Sequence, residues 1–183
     1  MNTSTHSTDP VTIELLGWIE ASVCRLVASV EGLTEEQLRT PATPSGWSVL
    51  GLLGHVHDST TFWLHNVVSG DPTALDEDDE WANDPPRPAA VVVEELLADV
   101  ASACDAVRGV DSSQEPGWWP EGAWGGYRQR TVRGVLVHLL NDNAAHTGQL
   151  DIAREQIDGA VWDFTVNRVR QPNNGPKLQN LAR

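Results

Sequence analysis

One long stretch near the end of the chain constrains the fold more than any other, because it predicts a single helix. Residues 131–159 read TVRGVLVHLLNDNAAHTGQLDIAREQIDG. Thr131 is a residue type that caps helix N-termini, the interior is rich in Leu, Ala and Val, and Gly159 stands where a helix-ending glycine belongs. The rest of the fold has to cover the apolar side of this helix.

Three polar side chains recur along this helix at intervals of four residues: His138, Asp142 and His146. Four residues turn a helix by about 400°, so the three form one stripe that drifts by about 40° per step. Apolar residues of the same stripe predict a buried face: Val135, Leu139, Leu150 and Ala153. A carboxylate directed into a core costs free energy unless a metal or a partner compensates for it. Because a carboxylate and an imidazole at i and i+4 can close on one metal ion, the stripe indicates a metal site.

Composition excludes several classes of partner. The chain has 183 residues, enough for one domain with a substantial core, and a formal net charge of −14. Binding to nucleic-acid phosphates or to an anionic membrane surface depends on Lys and Arg, which are scarce here. No apolar run approaches the roughly 20 residues that span a bilayer, and the polar N-terminus lacks a signal-peptide pattern. We therefore expect a cytoplasmic protein that binds neither nucleic acid nor membrane.

Helical spacing of apolar residues recurs in three further segments, 11–31, 48–69 and 91–107. Asp9 followed by Pro10 predicts the start of the first of these helices, and Ser48 predicts the start of the second. A short helical turn is expected after Thr34. No useful period-2 alternation is present, so no strand is expected. Four long helices joined by loops predict an all-α four-helix bundle.

Two long loops and two terminal segments complete the predicted organisation. The acidic, proline-rich loop 71–90 is long enough to form a lid or rim over a site. The loop 110–130 carries a cluster of tryptophans. We expect a flexible N-terminus over residues 1–9, the bundle over residues 10–165 and a C-terminal tail over residues 166–183. The packing anchors expected where the tail begins are Trp162 and Phe164.

Four other side chains are expected to serve structure alone. The cysteines, Cys24 and Cys104, fall within helical patterns and lack the spacing of a metal-binding pair, so both are expected to be buried thiols. Asp151 and Arg154 stand three residues apart on the last helix, which predicts an ion pair on its surface.

Two motifs carry a resemblance to a known family. GWSVLGLLGHV, residues 46–56, opens a helix with Trp-Ser and places a histidine eight residues after the tryptophan. HLLNDNAAHTGQLDIAREQIDG, residues 138–159, follows a histidine with a Gly-Gln pair and an arginine. Together they resemble the DinB-like superfamily of four-helix-bundle metalloproteins. The nearest branch is one of actinobacterial proteins similar to mycothiol-dependent maleylpyruvate isomerase and its thiol-transferase relatives.

The resemblance implies a metal site formed by His55, Asp142 and His146. Superfamily members often have histidine at the position of Asp142, and the isomerase branch has glutamate. The shorter aspartate would require the metal to sit nearer the last helix. Two nitrogens and one oxygen leave coordination positions open, as a catalytic zinc site requires, and the same set suits Fe, Ni or Mn. We expect a divalent metal, with zinc favoured.

Further residues are candidates for supporting roles around this site. His138 could orient Asp142 from the next turn, or replace it as a ligand. Gln149 follows His146 by three residues and could face the same pocket. Aromatic residues of the second long loop either form a wall of the pocket or fold over the end of the bundle: Trp118, Trp119, Trp124 and Tyr127.

The function implied by the resemblance is metal-dependent activation of a low-molecular-weight thiol, with mycothiol as the first cosubstrate to consider. The thiolate would then be transferred to a small electrophilic substrate, or would isomerise it through an adduct. No residue stands out as a dedicated catalytic acid or base. Two alternatives stay open: a hydrolase that uses metal-bound water at the same triad, and a non-catalytic metal-binding or stress-related bundle protein. A homodimer is expected by analogy.

Overall fold

The computed structural model describes residues 9–73 and 84–172, and the predicted all-α bundle is confirmed. The helices, in chain order, are α1 (Pro10–Ser29), α2 (Glu35–Arg39), α3 (Val49–Thr61), α4 (Ala89–Val107) and α5 (Val132–Asp158). The main packing pairs are α1 with α5 and α3 with α4, and α3 also packs against α5. Predictions for residues 1–8, for part of the acidic loop (74–83) and for the tail (173–183) lie outside the described residues.

The helix boundaries follow the capping residues that the sequence predicts. The side chains of Asp9, Ser48 and Thr131 each accept a hydrogen bond from a backbone N–H two or three residues further on, at 2.9–3.1 Å. Thr34 forms a capping box with Gln37 at the start of α2. Gly159 ends α5 in the left-handed conformation, with φ of 74°. These caps satisfy N–H and C=O groups that a helix end leaves without intrahelical partners.

The core lies along the leucine- and valine-rich sides of the four long helices. The four apolar residues predicted to share the buried face of α5 are buried: Val135, Leu139, Leu150 and Ala153. Asp142 and His146 lie at the edge of this face and are half-buried. In the part of the chain that the structure describes, no helix is both long enough and apolar enough to cross a bilayer.

The second predicted helix changes its geometry part-way. Regular α-helix ends at Thr61, and Phe62–Val68 continue as a π-helix. The N–H of Ser69 donates to the carbonyl of Leu64 at 3.0 Å, five residues back. π-helical turns are rare and are often found at functional sites. The wider turn places Phe62 and Trp63 against the loop that precedes α5.

Arg154 ties the end of α5 to the end of α1. Its side chain is 2% exposed. Nη1 donates to the carbonyls of Ser29 and Glu31, each at 2.9 Å. Nε and Nη2 donate to the two carboxylate oxygens of Asp158, at 3.0 and 2.8 Å. Because the last carbonyls of a helix have no intrahelical donor, the guanidinium satisfies groups that would otherwise be buried without a partner.

The predicted surface ion pair between Asp151 and Arg154 is therefore wrong. Arg154 points into the protein, and Asp151 instead accepts from Arg25 of α1 at 2.7 Å. The guanidinium of Arg25 also lies over the ring of Trp162, 4.3 Å from its centroid. Helical spacing alone cannot identify the partner of an arginine when a second helix offers carbonyls and carboxylates.

A short hairpin follows α5, contrary to the expectation of no strand. Its strands are β1 (Val161–Asp163) and β2 (Arg168–Arg170), paired antiparallel. Strands of three residues are too short to show a period-2 pattern. The boundary proposed at residue 165 falls in the turn between them. Phe164 is 78% exposed, so its prediction as a packing anchor is wrong, whereas Trp162 is half-buried.

The two cysteines lie in different environments. Cys104 is buried as expected, and burial raises the pKa of its thiol to about 12. Cys24 is exposed, so the expectation that both thiols are buried is wrong.

Replacing Arg154 by methionine is expected to lower the free energy of unfolding by about 3 kcal/mol, the scale for breaking a buried ion pair by removing one partner. The loss arises because the carbonyls of Ser29 and Glu31 would lose their donor and Asp158 would lose its two hydrogen bonds from the guanidinium. Denaturant unfolding of the parent and the variant measures it. Arg168→Met is the matched control, since Arg168 is exposed; an equal loss in both variants would contradict this role of Arg154.

The stabilisation from Asp158 is expected to disappear in acid. The pKa of this carboxyl is lowered because its hydrogen bonds with Arg154 and the N–H of Ala160 outweigh the cost of burial. A carboxylate whose folded pKa is depressed stabilises the protein above the unfolded pKa, about 3.9, and loses that effect as pH falls through the folded value. The stability gap between the parent and Asp158→Asn should therefore be large at pH 7 and shrink below about pH 4. A gap independent of pH would contradict the ionic contribution.

Candidate metal centre

The structure brings the three predicted ligands together. His55 extends from α3, and Asp142 and His146 extend from α5. One donor atom from each lies within 4.8 Å of the other two. The imidazole rings of His55 and His146 meet edge to face with centroids 4.9 Å apart, and Nε2 of His146 lies 3.5 Å from Oδ2 of Asp142. Binding of a metal by this triad remains a prediction.

The hydrogen bonding of His146 fits a metal ligand. Its Nδ1 lies 2.9 Å from Oε1 of Gln149. An amide oxygen can only accept, so Nδ1 carries the hydrogen and the neutral ring keeps its lone pair on Nε2. That Nε2 is buried and has no hydrogen-bond partner. Because a buried polar atom without a partner costs free energy, a metal at this position would supply the missing interaction.

Electrostatics also favour a cation at the triad. The nearby imidazole of His146 is the main reason that the pKa of Asp142 is lowered. Burial opposes a charge on His146, but the contacts with Asp142 and Gln149 outweigh burial, so the pKa of His146 is raised. A positive charge is thus stabilised between the two side chains. Since a metal must displace any proton on Nε2, its affinity should fall in acid.

His57, only two residues from His55, does not belong to this site. Its Nδ1 lies 2.7 Å from Asp58 and its Nε2 lies 2.8 Å from Asp99 on α4. The hydrogen bond to Asp58 is the largest cause that raises the pKa of His57. With a carboxylate at each nitrogen, this ring joins α3 to α4 and leaves no lone pair for a metal.

His138 lies beside the metal triad and faces aromatic side chains. Its ring packs edge to face on Trp63 with centroids 4.9 Å apart, and its Nδ1 lies 3.4 Å from the hydroxyl of Tyr127. Among the described residues, the group of donor atoms that could hold a metal does not include His138. This geometry favours a supporting role for His138.

The predicted wall residues form one cluster of rings with two residues of the π-helix. Trp63 is its centre, with centroids 5.5 Å from Trp119 and 5.4 Å from Trp124. Phe62 packs on Trp118 at 6.2 Å. The remaining member, Tyr127, packs on both Trp119 and His138. The loop before α5 is therefore folded against the π-helix and against His138 of α5.

A close backbone contact fixes this loop in place. A Cβ atom on Gly117 would lie 2.8 Å from Cα of Gly70, and a Cβ on Gly70 would lie 3.0 Å from the backbone of Gly117. The N–H of Trp118 donates to the carbonyl of Val67 at 3.1 Å. Only glycines allow the loop to approach the end of the π-helix this closely.

Sequence reasoning missed three residues of this region. Phe62 and Trp63 looked like ordinary core positions, because helical spacing gives no sign of a π-helix. Asn143 is fully buried, and neither polar atom of its side chain has a hydrogen-bond partner. A polar residue beside Asp142 on an apolar face was the signal that could have identified it.

Comparison with known families identifies the chain. A family model described as mycothiol-S-transferase matches residues 14–159, well over half of the sequence. The chain belongs to the mycothiol-S-transferase family. The match confirms the resemblance to DinB-like proteins near mycothiol transferases. The matched residues include the triad and the ring cluster. Comparison with curated proteins gave no match.

Replacing Gln149 by alanine is expected to weaken metal binding by about 10- to 100-fold, the range for losing a residue that orients a histidine ligand. Without the acceptor at Nδ1, nothing keeps the lone pair of His146 on Nε2. Titration of the metal-free protein with zinc in competition with a chelator measures the affinity. Gln156→Ala is the matched control, since Gln156 is exposed on the same helix; equal affinities in the two variants would contradict this role.

Proposed function

We propose that this protein is a metal-dependent S-transferase that moves a mycothiol-like thiol onto a small electrophile. The observation that carries the proposal is the buried Nε2 of His146 inside the triad, which has no hydrogen-bond partner, in a chain of the mycothiol-S-transferase family. A metal held by this nitrogen and the other two side chains of the triad would provide a place where a thiol can be activated.

Each triad residue has a distinct part in this proposal. His55 and His146 would hold the metal through neutral nitrogens from two different helices. Asp142 would add a carboxylate oxygen and offset part of the positive charge. Gln149 would keep His146 in the tautomer that presents Nε2. Three ligands leave a coordination position for the cosubstrate, and zinc is the favoured metal, with Fe, Ni and Mn able to use the same donors.

The chemistry follows from the thiol. A divalent metal held by His55, Asp142 and His146 would lower the effective pKa of a thiol from about 8.5 toward neutrality, so that the thiolate would be available at pH 7. The sulfur then forms a bond to an electrophilic carbon. Either a leaving group departs with the bonding electrons, or a double bond opens and the neighbouring carbon takes a proton. Isomerisation would begin with the same addition and end with loss of the thiol.

The test compares the parent with His146→Ala, measuring metal content after purification without chelator and the rate of mycothiol transfer. We expect near-stoichiometric metal and thiol-dependent turnover in the parent. The variant should lose its metal and show only the uncatalysed rate, because α5 then keeps one ligand. His65→Ala is the control, since His65 lies outside the triad.

Other outcomes would redirect the proposal. Ester or amide cleavage without thiol would favour a hydrolase that uses metal-bound water at the triad. Full metal occupancy without either activity would favour a non-catalytic metal-binding bundle. Metal retained at the parental level in His146→Ala would show that the triad is not the metal site.

A further inference from the structure

We propose that the cleft beside the ring cluster binds the ring of a planar aromatic electrophile, and so selects the acceptor substrate. This inference rests on the proposed transferase function. The cleft, here called the acceptor cleft, has a volume of about 440 Å³. Its lining includes Trp119, Pro120, Ala123 and Tyr127, with Glu121 and Arg128 as charged members. Pockets that combine aromatic walls with a few polar groups are typical small-molecule sites.

The walls of the acceptor cleft suit a flat ring. Trp119 and Tyr127 belong both to the cleft and to the ring cluster, with centroids 6.2 Å apart. Trp119 is supported from behind by Trp63, 5.5 Å away. Aromatic rings pair best with other aromatic rings, in offset or edge-to-face contacts. A cleft lined by these two rings should therefore favour a planar aromatic group over a puckered saturated one.

Trp124 gives an independent indication of a ligand. Its backbone is left-handed, with φ of 50° and ψ of 38°, a conformation that costs free energy for a bulky residue. Its ring is nevertheless 48% exposed, although it lies only 5.9 Å from Trp119. Packing on Trp63 and Trp119 therefore leaves about half of this side chain without cover. A ligand that extended from the acceptor cleft past Trp119 would cover part of that exposed surface.

Tyr127 connects the acceptor cleft to the candidate metal centre. Its hydroxyl lies 3.4 Å from Nδ1 of His138, which precedes Asp142 by one helical turn, about 6 Å along the axis. Nε2 of Gln129 donates to the same hydroxyl at 2.5 Å, so the hydrogen of Tyr127 stays available for another acceptor. Tyr127 therefore lines the acceptor cleft and also reaches the stripe of α5 that carries Asp142 and His146.

The first experiment measures binding without chemistry. N-phenylsuccinimide and N-cyclohexylsuccinimide differ in a flat and a puckered ring of similar size, and neither reacts with thiols. Isothermal titration of the purified protein should show the phenyl compound binding about 3- to 10-fold more tightly, the scale of an aromatic pair. Trp119→Leu should remove this preference. Trp18→Leu is the control, since Trp18 is 59% exposed on α1.

A second variant guards against misfolding of the first. Trp124→Gly removes a half-exposed ring and keeps a residue that adopts the left-handed backbone readily. It should also reduce the preference for the phenyl compound while leaving the metal content unchanged. Equal affinity of the parent for the two succinimides, or an unchanged preference in both folded variants, would overturn the acceptor cleft.

The second experiment measures turnover with the reactive pair, N-phenylmaleimide and N-cyclohexylmaleimide. The thiol sulfur bonds to one alkene carbon and the other takes the proton, so no further reactant is needed. We expect a kcat/KM ratio of about 3 to 10 in favour of the phenyl compound, corrected for the uncatalysed rates, and a ratio near 1 in Trp119→Leu. A ratio near 1 in an active parent would contradict the role of the acceptor cleft in selecting the substrate, while the proposed transferase function would still hold. If the parent prefers to bind the phenyl compound but shows no turnover, the acceptor cleft is supported and the proposed transferase function is contradicted.

Discussion

Burial of the Arg154 guanidinium is costly, and four hydrogen bonds offset that cost by joining the ends of two helices. Ser29 ends α1, Glu31 lies in the turn that follows, and Asp158 ends α5, so one side chain fixes the relative position of the most extensively packed helix pair. With α5 held against α1, its other edge faces α3. The triad and the ring cluster both form along that edge, so the geometry of the site depends on a charge buried at the far end of the helix.

α5 runs antiparallel to α3 and the π-helix that continues it, and two ring contacts between them fit the same alignment. His55 meets His146 nearer one end, and Trp63 meets His138 two helical turns further along. The candidate metal triad and an aromatic region are therefore neighbours along α5 and the helix that α3 and the π-helix form together. The π-helix lies where the aromatic contact begins, which is consistent with the frequent occurrence of such turns at functional sites. Thiol activation and acceptor selection would then be adjacent steps on one surface.

Local signals made much of this structure predictable. Thr131 and Gly159 bound the last helix through caps that act within a few residues, and the spacing of Asp142 and His146 placed both on one edge. The contribution of His55 came from a resemblance, because pairing between helices far apart in sequence leaves no local periodicity. The same limit explains the errors: the partner of Arg154 lies on another helix. The π-helix and the hairpin depend on packing that a window of sequence does not contain.

The contact between Gly70 and Gly117 restricts how proteins with this architecture can diversify. The two glycines have no side chains, so their backbones touch and hold the loop before α5 against the end of the π-helix. Any larger residue at either position would push the whole loop outward and separate the rings from the triad. A change in acceptor specificity would then require substitution of aromatic side chains on a loop whose backbone stays in place. We expect acceptor preference to vary through side chains such as Trp119 and Trp124, while the distance between the rings and the metal-binding edge stays the same.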